Sequence, residues 1–463
     1  MSTLFQRLLR WLRSIGTSVI LLSATLSEKT RQELAGAWLG DENAALPLAE
    51  YPRLTVASAG KVTVTPLTPP ESRTLQLVWA DPARDQIADH LAEKLREGGC
   101  AAVICNRVQR AQEVYEVLQD RGIVEAENLI LFHARFPFQW RKNIEDKVLK
   151  IFGKGENGQP NPNRPKKAIV VATQVIEQSL DLDFDYLLTD LAPIDLLLQR
   201  AGRLHRHEKN GALRPPNLKT PVMAITLPET KDDLPDFGGD IWIYDKATLL
   251  CTWLVIQGMS ELSLPGQTAG LIEAVYGDKL ITNEALSERF SQELEKSKQE
   301  MKYEQDKAKI KARNHLVPQP GSKLIGVDNL QLEDEENPNV HDAFRATTRL
   351  ASPGISLICL HRVGEEIAFE IDGKGSGIKL TQRPYTRDAK RLLKYAVNVQ
   401  NHQAVAYFAE KMKTLHPEWK KSALVRYHYP VVFENGKWSE KGASFTMELS
   451  REFGLKIIPK EAK

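Results

Sequence analysis

Regularly spaced arginines are the side chains of this sequence best suited to bind phosphate. The stretch QRAGRLHRH, residues 199–207, contains Gln199, Arg200, Gly202, Arg203 and Arg206. Guanidinium is planar and always charged, so it pairs well with phosphate oxygens, and a glycine permits close approach of the backbone to a ligand. The alternative is a solvated basic face on a helix whose other face is apolar. His205 and His207, two apart on such a helix, point to different sides, so we expect no metal there.

A second polar set follows an apolar run in VVATQVIEQSLDLDFD, residues 170–185. Thr173 and Gln174 offer a hydroxyl and an amide where a predicted strand ends, and Asp181 and Asp183 follow after one turn. One interpretation is a helix cap at Thr173 with solvent-facing acids. The functional interpretation makes Thr173 a phosphate contact on a nucleic-acid strand, with Asp181 turned to a nucleotide ribose.

A third set, Ser23 and Thr25 in LLSATL, follows the apolar run of residues 19–22. Hydroxyls directly after a buried strand can relay hydrogen bonds between two sites, although a plain strand-to-helix turn is the alternative. The preceding basic and apolar residues also have the look of a secretory leader, but no small-x-small cleavage site follows them. We therefore expect an amphipathic helix over residues 4–14 and a buried strand, not a leader.

Alternating strand and helix patterns between residues 75 and 227 predict one α/β lobe. The strands are expected in LQLVWA, CAAVICN, NLILFH, KKAIVVAT and FDYLLTD, and a helix is expected after each of them except KKAIVVAT. This alternation indicates a parallel sheet covered by helices on both faces, with working residues at the carboxyl ends of the strands. Residues 153–167 have no apolar periodicity and are expected to form a mobile surface loop.

The segments outside this lobe do not show this regular alternation of strands and helices. We expect a helix over residues 27–38, a connector over 40–74, and a strand then a helix in IWIYDKATLLCTWLVIQ. Residues 281–315 should be a long charged helix. From residue 343, short strands and the helix DAKRLLKYAVNVQ indicate a separate α+β domain.

The bulk composition restricts the class of protein. With 62 basic and 60 acidic residues the net charge is +2, so any nucleic-acid surface must be a local patch. The four cysteines, Cys100, Cys105, Cys251 and Cys359, have no metal-binding or disulfide pattern, which favours a reducing, cytoplasmic compartment. No apolar run reaches the ~18 residues of a membrane span, so no membrane partner is expected.

The order of the three polar sets resembles that of superfamily 2 helicases. The longer strings LFHARFPFQWRKNIEDKVLKIFGKG, VVATQVIEQSLDLDFDYLLTDLAPIDLLLQRAGRLHRH and IYDKATLLCTWLVIQ closely resemble the CRISPR-associated helicase–nuclease of type I systems. This resemblance covers essentially the whole chain and implies an α/β fold with one complete RecA-like lobe over residues 75–230. A remnant of a first lobe would occupy residues 1–60, a helical linker 231–330, and a small C-terminal accessory domain 331–463.

The resemblance also implies roles for the polar residues. ATP would lie between two lobes, with Arg203 and Arg206 as arginine fingers on its γ-phosphate and Gln199 beside them. Asp181 and Gly202 would contact the nucleotide, and Ser23 and Thr25 would couple the two activities. The expected contacts with single-stranded DNA are Asn106, Arg107, His133, Arg135, Thr173 and Gln174. For Arg107 and Arg135, surface charge at a helix start is an equal alternative.

Two parts of a complete motor are not found in the sequence. It contains no GxxxxGK[ST] phosphate loop and no acidic magnesium box, and GKGSGIK at residues 373–379 has the wrong spacing. ATP and Mg²⁺ are therefore expected to bind only in the complete enzyme, and this chain alone should show negligible ATPase activity. A separately encoded first half and the RNA-guided surveillance complex are the expected partners. The alternatives are a non-catalytic strand-binding or docking module, or a superfamily 2 helicase of another defence system.

Overall fold

The computed structural model describes residues 2–23, 26–41, 44–47, 49–58, 60–177, 180–277, 287–313, 316–321 and 354–460. Contacts divide the chain into two compact units, which we describe separately. The first consists of Met1–Gln76, Ala192–Leu198 and Pro228–Leu350, and the second of Leu77–Leu191, Gln199–Leu227 and Ala351–Lys463.

Twelve α-helices and eighteen strands lie in the described residues. The helices are α1 (Ser2–Ser14), α2 (Glu28–Leu39), α3 (Arg84–Lys94), α4 (Val108–Asp120), α5 (Phe138–Phe152), α6 (Ile194–Ala201), α7 (Lys246–Ile256), α8 (Thr268–Tyr276), α9 (Glu288–Arg313), α10 (Thr386–Leu393), α11 (His402–Lys413) and α12 (Pro417–Lys420). The strands are β1 (Arg53–Ser58), β2 (Lys61–Pro66), β3 (Arg73–Ala80), β4 (Gly99–Ile104), β5 (Leu129–Phe132), β6 (Lys167–Ala172), β7 (Tyr186–Thr189), β8 (Val222–Thr226), β9 (Glu229–Lys231), β10 (Leu234–Asp236), β11 (Glu261–Leu264), β12 (Ile355–Val363), β13 (Glu366–Ala368), β14 (Ala396–Val399), β15 (His428–Glu434), β16 (Lys437–Trp438), β17 (Phe445–Ser450) and β18 (Gly454–Pro459).

The first unit is mainly helical. Helix α2 begins where the Ser27 hydroxyl accepts a hydrogen bond from the Thr30 N–H at 3.3 Å, which satisfies a donor that the first turn leaves unpaired. Strands β1 and β2 form an antiparallel hairpin, and β11 pairs antiparallel with residues 73–76 of β3. Helix α7 packs against both α8 and α9. None of the helices whose residues the structure describes has the length and apolar composition of a bilayer-spanning segment.

Two strands expected in the first unit are not formed. Residues 17–23 have no strand structure, and Ile20 and Leu22 are 85% and 93% exposed. A strand is stabilised by a paired backbone, and no strand in the described part of the chain pairs with this run. The strand expected at the start of IWIYDKATLLCTWLVIQ is also not formed, because Gly238–Trp242 is a short 3₁₀ helix and residues 243–244 belong to no strand.

The second unit contains the predicted parallel sheet. Within the unit the strand order is β3-β8-β7-β4-β6-β5, and the pairs β8–β7, β7–β4, β4–β6 and β6–β5 are parallel. Every residue of β4, β5 and β7 is buried, as expected for strands covered on both faces. The α/β prediction for this part of the chain is therefore confirmed.

Residues 153–167 are anchored to the lobe, which differs from the mobile loop that we expected. The Asn161 amide nitrogen donates to the carbonyls of Lys150 and Gly153, each at 3.0 Å, near the end of α5. The Arg164 guanidinium is buried and donates to the Asp185 carboxylate at 2.8 Å. Polar composition predicted a loop but not these buried partners.

The C-terminal part of the second unit is built on a second seven-stranded sheet. Its order is β13-β12-β15-β16-β17-β18, and β14 also pairs with β12. The predicted helix in DAKRLLKYAVNVQ ends at Leu393, and the alternating residues 396–399 form β14 instead. Helix α11 follows, and Asn401 caps it by accepting a hydrogen bond from the Ala404 N–H at 3.0 Å.

This C-terminal sheet packs directly on the parallel lobe. One cluster of buried apolar side chains includes Phe136 and Trp140 from the lobe together with Phe433 and Phe445 from the C-terminal sheet. The Leu455 N–H donates to the Arg135 carbonyl at 2.9 Å. The two parts therefore share one core and form a single compact unit.

Candidate functional site

Polar residues that follow three neighbouring parallel strands form a buried network, which we call the strand-end network. Asn106 lies beyond the end of β4, Gln174 beyond β6 and Asp190 directly after β7. The Asp190 carboxylate accepts from the Asn106 N–H at 3.0 Å and from Arg110 Nε at 2.9 Å. The Gln174 side-chain amide donates to the Asn106 carbonyl at 2.8 Å. These bonds fix the backbone positions at the carboxyl edge of the sheet.

Arg200 is the centre of this network, which corrects its expected place on a regular arginine face. Its side chain is fully buried. Nε donates to the Glu177 carboxylate at 2.7 Å, Nη1 to the Thr189 hydroxyl at 2.6 Å, and Nη2 to the Asn106 side-chain oxygen at 3.3 Å. Because α6 ends at Ala201, Arg203 and Arg206 lie beyond the helix and do not share a helical face with Arg200.

The segment that carries Arg203 and Arg206 lies beside the start of β7. Leu204 forms an isolated parallel bridge with Phe184, and the Phe184 N–H donates to the Arg203 carbonyl at 2.9 Å. We expected this arginine set at the carboxyl end of a strand, and the structure instead places it beside the residues that precede one. The chain after α6 returns along the sheet, which explains the difference.

Arg203 and Arg206 are the two arginines of this segment, residues 202–207, which we call the arginine segment. Arg203 is half-buried, and its Nη2 donates to the Glu177 carbonyl at 2.8 Å. Burial, and secondarily the charge of Arg206, lowers the pKa of Arg203. The two guanidinium groups are therefore close enough to repel each other, an arrangement that a bound polyanion would stabilise.

Asp181 is ion-paired with Arg206 at the surface. The distance from Arg206 Nε to the Asp181 carboxylate is 2.5 Å, and the two side chains are 44% and 51% exposed. An exposed ion pair contributes little stability, so a ligand can displace it at small cost. Gly202 follows the last residue of α6, and Gln199 lies in its last turn, partly exposed. The structure thus brings Asp181, Arg203 and Arg206 together.

Glu177 links the arginine segment to the strand-end network. Its carboxylate accepts from Arg200 and its backbone carbonyl accepts from Arg203. Our sequence reasoning missed both Glu177 and Asp190 as members of the site. The available signal was an acid shortly after a predicted strand end, with an arginine on the helix that returns along the sheet.

A buried ionic cluster supports the same region from the other end of β7. Asp183 and Asp185 accept hydrogen bonds from Arg214 at 2.9 and 3.1 Å, and Asp185 also accepts from Arg164. Asp183 is fully buried, so it is not the solvent-facing acid of our first interpretation. Because Asp181 lies two residues away, this cluster fixes the backbone that leads to the Arg206 pair.

The remaining strand-contact candidates occupy different environments. Thr173 is 2% exposed, and its N–H donates to the Phe132 carbonyl at 3.2 Å. Arg107 is exposed at the start of α4. Arg135 is half-buried, and burial lowers the pKa of its guanidinium. Ser23 is exposed in the first unit, and Thr25 lies outside the described residues.

His133 is fully buried between the parallel lobe and the C-terminal sheet. Its Nδ1 accepts from the Arg135 N–H at 3.1 Å, so Nε2 carries the proton and donates to the Phe453 carbonyl at 3.2 Å. The ring also stacks on Phe136 with centroids 4.5 Å apart. These contacts give His133 a packing role, and we leave it out of the proposed strand contacts.

The burial of His133 predicts a pH-dependent stability. Burial is the largest cause that lowers the pKa of His133 from 6.5 to about 3. Between these values the unfolded chain binds a proton that the folded chain does not, so stability is complete above pH 6.5 and falls by about 1.4 kcal/mol per pH unit on acidification. Urea unfolding between about pH 5 and pH 6.5 should show this slope reduced by that amount in His133→Phe.

The matched control for this measurement is His402→Phe, because His402 is exposed at the start of α11. His205, whose pKa is lowered to about 4 chiefly by burial, contributes a similar slope to every variant and cancels in the comparison. An unchanged slope in His133→Phe would contradict a neutral, buried His133.

Comparison with known proteins gives matches to CRISPR-associated Cas3 proteins. Residues 97–209 match the family model of the C-terminal part of the CRISPR-associated nuclease/helicase Cas3. The CRISPR-associated endonuclease/helicase Cas3 of Thermus thermophilus is 32% identical over 511 residues, which cover 99% of this chain and 52% of that protein. The chain thus spans about half the length of the curated relative.

Solved structures agree with this relationship. A crystal structure of a CRISPR-associated protein is 33% identical with a TM-score of 0.86 and covers 99% of this chain and 50% of that one. T. fusca Cas3 with ATP is 27% identical with a TM-score of 0.78, covering 98% of this chain and 52% of that one. A chain of an RNA-guided surveillance complex before nicking is 26% identical with a TM-score of 0.74, covering 98% of this chain and 55% of that one.

The matched region contains the strand-end network and the arginine segment, and the similarity extends over almost the whole chain. The fold agrees with this similarity. In sequence and fold the chain matches the C-terminal half of the CRISPR-associated Cas3 helicase–nucleases.

Proposed function

We propose that this chain provides the second motor lobe and the C-terminal domain of an ATP-dependent 3′–5′ DNA helicase that acts in antiviral CRISPR interference. The observation that carries the proposal is Glu177, which holds Arg200 of the strand-end network and Arg203 of the arginine segment. A helicase must bind DNA differently when its bound nucleotide changes from one state to the next. One buried residue that contacts both sets of side chains is a direct physical link for such coupling.

On the nucleotide side, Arg203 and Arg206 would contact the γ-phosphate, with Gln199 and Gly202 beside them. Asp181 would leave its ion pair with Arg206 and contact the ribose of the nucleotide instead. Arginine fingers stabilise the charge that builds on a transferring phosphoryl group, and where present they contribute about 10³–10⁵ in rate. The donor set fits phosphate oxygens. It does not fit Mg²⁺, because two guanidinium cations lie beside the single carboxylate of Asp181.

The phosphate loop and the magnesium-holding acids would therefore come from a first lobe, either on the same polypeptide or supplied separately. Ser23 and Thr25, in the proposed remnant of that lobe, would couple the nucleotide site to the DNA site. T. fusca Cas3 has been solved with ATP, which supports ATP as the nucleotide. Another relative occurs in an RNA-guided surveillance complex, and we propose the same kind of partner for this chain in the cytoplasm.

On the DNA side, Arg107, Thr173, Gln174, Asn106 and Arg135 would follow one strand at the carboxyl edge of the sheet. Arg107 is exposed and Arg135 is half-buried, so these two carry the positive charge available to a strand, while Asn106 and Thr173 are buried. Contacts of this kind are made to phosphate and sugar, so binding should be insensitive to sequence and sensitive to salt.

The experiment that tests this function measures strand separation by the chain joined to a first lobe. Duplexes with a 3′ or a 5′ single-stranded tail are compared with ATP present. Unwinding of the 3′-tailed duplex alone, weakened by Arg107→Gln, is expected. Unwinding only of the 5′-tailed duplex, or none with either tail while ATP is hydrolysed, would contradict the proposal.

A further inference from the structure

A cavity of about 350 Å³ lies in the second unit where helix α5 of the parallel lobe meets the C-terminal sheet. Its lining includes Trp140, His361, Glu370, Asn435, Lys437 and Arg451. The volume is at the lower end of small-ligand pockets, which measure about 300–1,000 Å³. None of these residues belongs to the strand-end network or to the arginine segment.

The charged groups of this cavity neutralise one another. The Glu370 carboxylate accepts from Arg451 Nη2 at 2.7 Å and from the Tyr395 hydroxyl at 2.9 Å. Lys437 Nζ lies 3.5 Å from the Glu448 carboxylate. Since two positive and two negative groups are paired in this way, the cavity is suited to an uncharged ligand and not to a phosphate.

His361 gives the second indication of a ligand. Its side chain is 2% exposed, and neither ring nitrogen has a hydrogen-bond partner among the described residues. Burial lowers the pKa of His361, with Glu370 opposing the effect, so the imidazole is neutral and offers one donor and one acceptor. Buried polar atoms are normally paired, and a lining histidine with both nitrogens unpaired requires an explanation.

The Arg451 guanidinium also borders the cavity and covers one face of the buried Trp140 ring, so the guanidinium plane is the surface left for stacking. The Arg451 guanidinium carbon lies 4.1 Å from the centre of the Trp140 ring, so a cation and an aromatic ring are stacked there. Proteins bind splayed bases by stacking them on aromatic rings or guanidinium planes and by hydrogen bonds to the base edge. Asn435, in the turn between β15 and β16, adds an amide at the cavity.

We propose that this cavity receives one base of single-stranded DNA, with His361 and Asn435 facing the edge of the base and the sugar-phosphate remaining outside. A base is uncharged and planar, and its edge presents donors and acceptors, which matches the paired charges and the neutral imidazole. That the cavity can bind a base follows from its own residues. That the base comes from a DNA strand rests on the proposed function.

The test uses the full chain and two oligonucleotides of about 12 residues, one of thymidines and one in which the internal bases are absent. Fluorescence anisotropy at fixed salt gives the two dissociation constants. Wild-type protein should bind the base-containing strand about tenfold more tightly, and His361→Phe should remove most of that difference. Asn435→Gly should reduce it as well, since glycine accepts the positive φ of 49° at this position.

His402→Phe is the matched control and should leave both constants unchanged, because His402 is exposed outside the cavity. Thermal melting confirms that each variant is folded. If His361→Phe does not fold, Asn435→Gly provides the test of the cavity. A parallel titration with free thymidine separates the two sources of the base. Thymidine binding that His361→Phe abolishes supports the cavity chemistry.

The outcomes separate this inference from the proposed function. Tight binding of both oligonucleotides without any difference, in wild type and in His361→Phe, would overturn the base site and leave strand binding by the chain intact. Binding of neither oligonucleotide would overturn strand binding and, with it, the strand as the source of the base.

Discussion

Replacing Arg203 by alanine is expected to lower the ATP turnover of the complete helicase by about 10³-fold or more. The guanidinium of Arg203 is half-buried, held by the Glu177 carbonyl at 2.8 Å, and so fixed in place before the nucleotide arrives. A preorganised positive charge costs no rearrangement as negative charge builds on the phosphoryl group. Phosphate release by this chain joined to a first lobe, with saturating ATP and single-stranded DNA, measures the effect.

Arg206→Ala should cost less than Arg203→Ala, because Arg206 is exposed and paired with Asp181. Arg96→Ala is the control, since Arg96 is a surface arginine on the same unit with 79% of its side chain exposed. Turnover of the Arg203 variant within about tenfold of wild type would exclude a role in stabilising the transition state.

Replacing Arg200 by alanine should destabilise the second unit by about 3–5 kcal/mol. The change leaves the Glu177 carboxylate buried without its cation and removes a donor from Thr189 and Asn106. A buried charge that loses its partner keeps its full desolvation penalty, which makes this variant more damaging than the loss of an exposed ion pair. Urea unfolding followed by circular dichroism gives the change in the free energy of unfolding.

Two further variants make the Arg200 prediction specific. Arg206→Ala, which breaks an exposed pair with Asp181, should change stability by no more than about 1 kcal/mol. The double variant Arg200→Met with Glu177→Leu should recover much of the loss, because both buried charges are removed together. A loss below about 1 kcal/mol for Arg200→Ala would show that the network does not support the lobe.

The parallel sheet was predictable because its strands carry their own signal. Runs such as CAAVIC and KAIVVA are apolar on both faces, and only a strand covered on both sides can bury both of them. The polar residues after these runs were predictable for the same reason, since the carboxyl ends of parallel strands meet at one edge. The structure places Asn106 and Gln174 together at that edge.

The roles of the charged residues were not predictable in the same way, because their partners are distant in sequence. Arg200, Arg203 and Arg206 have identical spacing, but only tertiary contacts make the first a buried network residue and leave the last at the surface. Arg164 lies in a polar loop, and nothing local indicates that it meets Asp185. The expected strand over residues 19–22 failed for a related reason, since a strand depends on neighbours that are not adjacent in sequence.

The central claim is that this chain carries the arginine side of an ATP site whose phosphate loop belongs to a first lobe. Magnesium-dependent ATP hydrolysis, measured for the purified chain alone and after addition of a first lobe, tests this claim most directly. We predict background hydrolysis by the chain alone and, once the first lobe is added, turnover that Arg203→Ala abolishes. Magnesium-dependent turnover by the chain alone that Arg203→Ala abolishes would contradict the account.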